Sequence, residues 1–273
     1  MSDFCIIKKV YFIWHDFMKK IAIVYFVYIN EKKNYKKLIK GQLSDIARSG
    51  VFNDADLYIQ VSMKNELKDK VLLFFESLPY DIKQIEYHFE NKFEYYGIHK
   101  LYELAKSGEY PYLAYLHTKG MSYNPHSIFN PERIRSFREI ILTYYTFRKY
   151  KKTIELFEKD SDIQKIGFMP NKEDGKEENK GLIMWFNFFW VRASFAASLQ
   201  EPVQSDDRFY FERWIARPDK DRKDEYLYTS YSLYADKKEG FTQSQASDTL
   251  KHLKKLYKYT RPFSTLYRLF TVK

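Results

Sequence analysis

The longest unbroken apolar run in the chain is Ile21 to Ile29 (IAIVYFVYI), nine residues bounded by Lys20 and Asn30. It is too short to span a membrane as a helix, and its β-branched and aromatic content predicts a buried strand. Beyond Asn30, helix and strand patterns alternate. Tyr35, Leu38, Ile39, Leu43, Ile46 and Ala47 share one helical face, closed by Ser49-Gly50. Leu57–Val61 predicts a second strand, and Leu67, Val71, Phe74, Phe75 and Leu78 a second helix. Ile82–Phe89 fits a third strand whose charges place it at a sheet edge, and residues 94–106 form another helix, stopped by Ser107-Gly108. Tyr112–Leu116 is then a short apolar strand running straight into His117-Thr118-Lys119-Gly120. Strands alternating with helices of roughly 10–15 residues predict an α/β fold, a mostly parallel sheet flanked by helices.

Further on, Asn130-Pro131 predicts the cap and first-turn proline of one long helix reaching about Lys159. A strand at Ile166–Met169, a charged loop from Asn171 to Lys180 and the apolar segment Gly181–Ser194 come next. The expected organisation is a single domain. Residues 1–19 form an N-terminal extension, 20–217 the main body, 218–250 a C-terminal elaboration and 251–273 a basic helical tail.

Charge decides between partner classes. The 273 residues include 46 Lys+Arg and 36 Asp+Glu, a net +10, which with 19% aromatic residues is compatible with nucleic-acid binding. Yet Lys251, Lys254, Lys255, Lys258, Arg261, Arg268 and Lys273 account for seven of those charges, with no acid among them. Subtracting those seven leaves +3 for residues 1–250. A mildly basic body without a nucleic-acid-binding motif predicts no nucleic-acid partner. In the tail, Leu250, Leu253 and Tyr257, then Phe263, Leu266, Tyr267 and Phe270, recur at helical spacing. Such a segment either lies on an anionic membrane or docks on its own domain. The single cysteine, Cys5, excludes a disulfide framework and a Cys-based zinc site. No signal peptide is evident at the N-terminus, so the expected location is cytoplasmic, peripheral at the inner face of the membrane if the tail binds lipid.

In an open α/β sheet, ligands bind beyond the carboxyl ends of the strands, where the His117–Gly120 loop falls. Lys119 can hold a phosphate as a point charge and Thr118 can donate a hydrogen bond. His117 can take a diphosphate, a metal or a sugar hydroxyl, and Gly120 allows a sharp turn. The same four residues can equally be a satisfied histidine beside a solvated lysine. Arg133, Arg135 and Arg138 either reach phosphates or are solvated, and Glu94 and His99 start a helix near the same end.

The strand-loop YLAYLHTKG, followed by NFFWVRAS and RFYFERW, resembles a group of bacterial and viral glycosyltransferases of capsule, O-antigen or surface-glycan synthesis. Their pattern runs His-Thr-Lys-Gly, then Gly-Asn-Phe-Trp-Trp, then Arg-x-x-x-Glu-x-Trp. The second block here is Phe186-Asn187-Phe188-Phe189-Trp190, with Phe186 in place of the usual glycine and Phe189 in place of a tryptophan. The third runs from Arg208 to Trp214, and the resemblance covers roughly residues 20–217. It implies a GT-A-like (Rossmann-like) fold, a nucleotide-sugar donor and a surface-polysaccharide or lipid-linked glycan acceptor. It further implies donor-phosphate binding by His117, Thr118, Lys119, Gly120 and Arg138, and acceptor binding by Asn187, Trp190, Arg208 and Trp214. Glu212 takes the place of the carboxylate base.

Alternatives stay open for several of these residues. Glu212 can bind a hydroxyl without moving a proton, or pair with Arg208 four residues earlier. Asp206 and Asp207 are second candidates for the base. Trp185, Phe188, Phe189 and Trp190 are either a sugar-stacking platform or core. Many GT-A enzymes hold a divalent cation on Asp-x-Asp at a strand end, where this chain has His-Thr-Lys. Asp54-Ala55-Asp56 and Asp160-Ser161-Asp162 precede their strands, and Asp219-Lys220-Asp221 lies in a polar loop, so all three read as solvated turns. No residue is assigned to a metal, with manganese or magnesium left open as a cofactor. A nucleic-acid-binding protein and a catalytically inactive nucleotide- or glycan-binding scaffold are the alternatives.

Overall fold

The computed structural model describes residues 19–119, 121, 135–172, 183–216 and 229–256. Strands β1 (Ile21–Tyr28), β2 (Ala55–Ser62), β3 (Gln84–His88) and β4 (Tyr112–His117) alternate with helices α1 (Tyr35–Ala47), α2 (Lys68–Glu76) and α3 (Tyr95–Ser107). Helices α4 (Phe137–Phe147) and α5 (Tyr150–Lys159) lead to β5 (Lys165–Gly167). Then come β6 (Phe189–Arg192), α6 (Ala193–Ser198), α7 (Tyr210–Trp214) and β7 (Ser230–Ser232). The strands form one seven-stranded sheet in the order β3-β2-β1-β4-β6-β5-β7. Only β6 runs against its neighbours.

Helices cover both faces of β1, which explains why the run is apolar throughout. Ile21, Ile23, Tyr25 and Val27 pack with α1, α2, α4 and α5. Ala22, Val24 and Phe26 pack with α3, α6 and α7. Period-two alternation thus divides one strand between two cores, and neither face is left for solvent. The charged strand β3 is at the sheet edge, as its composition predicts.

Local chemistry sets the element ends. The Asn34 side chain accepts from Lys37 N at 3.0 Å to cap α1, and Ser136 accepts from Glu139 N at 3.1 Å to cap α4. Gly97 lets α3 lie close on the sheet. A Cβ there would stand 2.7 Å from that of Phe26 and 2.9 Å from the Tyr115 ring.

Two expectations need correcting. The single long helix before Lys159 is two helices, because Lys149 leaves the helical region (φ −112°, ψ 39°) with no glycine or proline to mark the break. Its described start is capped by Ser136, while Asn130-Pro131 lies outside the described residues. The described residues beyond 217, 229–256, also join the main body. β7 pairs with β5, and Phe241, Ala246 and Leu250 join the core around β1. Residues 243–256 are helical, with Leu250 and Leu253 packed on that core and Lys251, Lys254 and Lys255 exposed. The first turns of the basic tail therefore dock on the domain, and residues 257–273 lie outside the described residues. Among the described residues, no helix is long and apolar enough to cross a membrane.

Candidate functional site

Strands β1, β2, β3 and β4 are parallel, so their carboxyl ends share one edge, and an open cleft of about 210 Å³ lies there. Phe26 and Tyr28 of β1 form one wall, with His117, Thr118 and Lys119 at the end of β4. Asn91, Phe93 and Glu94 come from the loop after β3, and Arg208 and Glu212 from α7 and the turn before it. The fold thus joins the His-Thr-Lys and Arg-x-x-x-Glu blocks, which are about ninety residues apart in sequence.

His117 pairs in register with Phe26, which fixes the height of the loop above the sheet. Thr118 N donates to Phe26 O at 3.0 Å, and the Thr118 hydroxyl accepts from Tyr28 N at 2.9 Å. That hydroxyl ties β4 to β1 through its oxygen, and Thr118 lines the cleft. Lys119 extends into the cleft with its side chain 14% exposed, and its Nζ lies 4.0 Å from Glu212 Oε1. Glu212 therefore pairs with Lys119 among the described residues, and not with Arg208. Asp207 is engaged elsewhere, pairing with Arg213 and accepting from Phe209 N at 2.9 Å.

Beneath the cleft lies a buried polar cluster. Tyr115 and His117 are two residues apart on β4 and share the face toward α3, whose N-cap position is Glu94. Glu94 Oε2 accepts from the Tyr115 hydroxyl at 3.0 Å and from Asn187 Nδ2 at 2.5 Å. Its Oε1 is 3.4 Å from His117 Nδ1, and His117 Nε2 donates to Phe186 O at 3.1 Å. Burial raises the Glu94 carboxyl above its ordinary value, partly offset by Lys119. Burial and then Lys119 hold the His117 imidazole down at about 3, so it is neutral.

The backbone around this cluster is strained. Phe186 (φ 74°), Asn187 (φ 57°) and Phe93 (φ 53°) are left-handed, a region costly to residues with a Cβ. Phe186 stands where the resembling enzymes have glycine, the residue that adopts this φ freely. Its ring is 5.8 Å from Lys119 Nζ and 5.1 Å from the Arg138 guanidinium, so Arg138 meets Phe186 and does not line the cleft.

No protein-family model matches the chain, and no curated protein matches it. Geometry and residue chemistry carry the reading of the site.

The remaining expected site residues divide clearly. Trp190 and Trp214 are fully buried, with their indole N–H groups donating to Thr146 O at 2.7 Å and Gln200 O at 2.8 Å. They present no face to an acceptor, which corrects that expectation. Phe188 and Phe189 are core for the same reason, because both sheet faces are covered. Asn187 is buried and holds Glu94 in place. The most exposed aromatic ring lining the cleft is instead Phe93, 37% exposed. Sequence reasoning missed it; its signal was an aromatic beside Asn91 in the loop leaving an edge strand. Gly120 and Arg133 lie outside the described residues, while Arg135 is tied to Glu139 and Asp45. His99 sits between Glu103 and Glu201, at 3.5 Å from each, and does not line the cleft.

The described Asp-x-Asp acids are engaged elsewhere. Asp54 accepts from Tyr150 and Asp56 from Tyr110, each at 2.6 Å, at the amino end of β2 and away from the cleft. Asp160 pairs with Lys238 at 2.8 Å, and Asp219 to Asp221 lie outside the described residues. Among the described residues no three metal-ligating side chains converge. Among the described residues lining the cleft, the cationic groups are Lys119 and Arg208.

Proposed function

We propose that the protein is a GT-A-like glycosyltransferase that binds a nucleotide-sugar donor in this cleft and transfers the sugar to a hydroxyl of a surface polysaccharide or lipid-linked glycan. One observation carries the reading. Lys119 and Arg208, two cations suited to a diphosphate, face the same small cleft as a carboxylate, Glu212, that can take a proton. An open, mostly parallel sheet with its cleft at the strand carboxyl ends is compatible with it. The acceptor class rests on the sequence resemblance alone.

In this reading the acceptor hydroxyl oxygen bonds to the anomeric carbon as the bond from that carbon to the diphosphate oxygen breaks. Glu212 takes the hydroxyl proton, and Lys119 and Arg208 hold the charge developing on the departing nucleoside diphosphate. Phe93 offers a ring at the rim on which a base or sugar can stack.

A thermal-shift panel of nucleotide sugars, each run with manganese and with chelator, tests donor binding and metal dependence together. A ligand that binds only the native chain raises its melting temperature. A donor that shifts the transition and is turned over with an acceptor glycan is the expected result. Binding without turnover would assign the inactive scaffold, and no shift with any nucleotide would sink the donor-site reading.

A further inference from the structure

The cluster under the cleft has a proton to place. His117 Nε2 is 3.1 Å from a backbone carbonyl, which only accepts, so the hydrogen of a neutral ring is on Nε2. The Nδ1 lone pair then faces Glu94 Oε1 at 3.4 Å. Two acceptors cannot face each other in a buried site without repelling unless a proton is held by one of them. Glu94 Oε2 is already engaged by Tyr115 and Asn187.

We propose that Glu94 and His117 share one proton, and that this proton sets the affinity of the cleft for a diphosphate-class anion beside Lys119 and Arg208. The second half rests on the donor-site reading above, while the shared proton does not. The groups facing the pair are the Tyr115 phenol on β4, Lys119 beyond it, Arg208 before α7 and Glu212 on α7. With the proton in place the pair is neutral, and Lys119, Arg208 and Glu212 leave the cleft with a net positive charge. Without it a second carboxylate cancels that charge. An incoming anion therefore holds the proton more firmly, and losing the proton weakens binding. Burial, which disfavours charge on both partners, is consistent with placing the proton on the carboxyl.

Glu94→Gln keeps an acceptor for Tyr115 and Asn187 and a permanent donor for His117, so it mimics the protonated pair. Calorimetric binding of inorganic pyrophosphate is compared in the two proteins as pH rises. Relative to Glu94→Gln, wild-type affinity should fall as the pair loses its proton, by at most about tenfold per pH unit, and then level off. Parallel pH profiles, or pyrophosphate binding to neither protein, would overturn the link to anion affinity. Independently of any ligand, a carbon-13 NMR titration of wild-type glutamate carboxyls should show, beside the signal of buried Glu139, a group titrating above the ordinary glutamate range that is absent from Glu94→Gln. If Glu94→Gln removes no such signal, the shared proton is wrong. Neither readout requires sugar transfer, so failure of the transferase reading remains distinguishable.

Discussion

The two ends of the sheet treat equally buried carboxylates in opposite ways. At the amino end the Asp56 side chain is 15% exposed, with Tyr110 at 2.6 Å and Lys19 and Lys83 at 3.1 and 3.9 Å. At the carboxyl end Glu94 is 14% exposed and also accepts from a tyrosine, but its other close partners are an amide and a neutral histidine. The left-handed aromatic residues Phe93 and Phe186 are at this end as well. Burial alone therefore does not mark a site. What separates the ends is whether a buried charge is matched by a fixed counter-charge. An unmatched acid beside strained backbone is a feature expected of binding and catalytic surfaces.

Removing one carboxylate from each end should produce opposite losses. Glu212→Gln is expected to lower turnover at least 10²-fold, with donor binding tightened and not weakened, because one negative charge leaves the cleft, and folding little changed. Asp56→Ala should leave turnover alone and cost about 1 kcal/mol of stability, because it removes the Lys19 ion pair and one of the two partners of the Tyr110 hydroxyl, which keeps Tyr58 at 2.9 Å. Steady-state kinetics and urea unfolding on both variants decide it, and wild-type turnover in Glu212→Gln would remove that residue from the base role. The two lysines form a second such pair. Lys119→Ala should weaken nucleoside-diphosphate binding by about 10²-fold, roughly 2.7 kcal/mol. Lys19→Ala should cost about 1 kcal/mol of stability and no affinity. Similar affinity losses in both would mean that net charge, and not the cleft, attracts the ligand.

The sequence exposed the scaffold of this comparison more fully than its details. The alternation from Ile21 to Leu116 was legible because each element carries its own period and its own stop signal. The cleft residues Lys119, Arg208 and Glu212 were legible because each occupies a block of the resemblance. Trp190 and Trp214 were misassigned for a physical reason. Period two sorts a strand into two faces but does not say that helices cover both, and α7 buries its tryptophan as well. Glu94 drew little notice because its importance lies in Tyr115, His117 and Asn187, partners from 21 to 93 residues away. The break between α4 and α5 had no glycine or proline to announce it.

Folding stability as a function of pH sharpens the contrast without any ligand. Native His117 has its pKa lowered from 6.5 to about 3, so between those values the unfolded chain takes up a proton that the native chain refuses. Its contribution falls as pH drops below 6.5. Native Glu94 is raised from 4.5, so the native chain keeps a proton that the unfolded chain releases, and its contribution falls as pH rises above 4.5. The two oppose each other between 4.5 and 6.5. Wild-type stability should be flatter there than that of Glu94→Gln, which keeps the histidine limb, or His117→Gln, which keeps the glutamate limb. Each limb is limited to about 1.4 kcal/mol per pH unit. Three parallel curves from urea titrations would show that the cluster does not titrate on folding.

The smallest expected effect separates backbone strain from side-chain packing. Phe186→Gly and Phe186→Ala both remove the ring, with its contacts to Lys119 and Arg138, so both should weaken anion binding. They differ in the backbone. At φ 74° alanine keeps the clash between Cβ and the following carbonyl, and glycine has none. The glycine variant should therefore be the more stable by about 1 kcal/mol in urea unfolding, even though glycine ordinarily costs more chain entropy than alanine. An alanine variant as stable as the glycine variant would mean that residue 186 leaves the left-handed region once its ring is gone. The ring would then be what holds the turn in place. In the opposite case the turn is fixed by its own contacts, with Phe186 O accepting from His117 and Asn187 donating to Glu94. The strain at Phe186 would then be sustained by the same buried cluster that distinguishes this end of the sheet from the other.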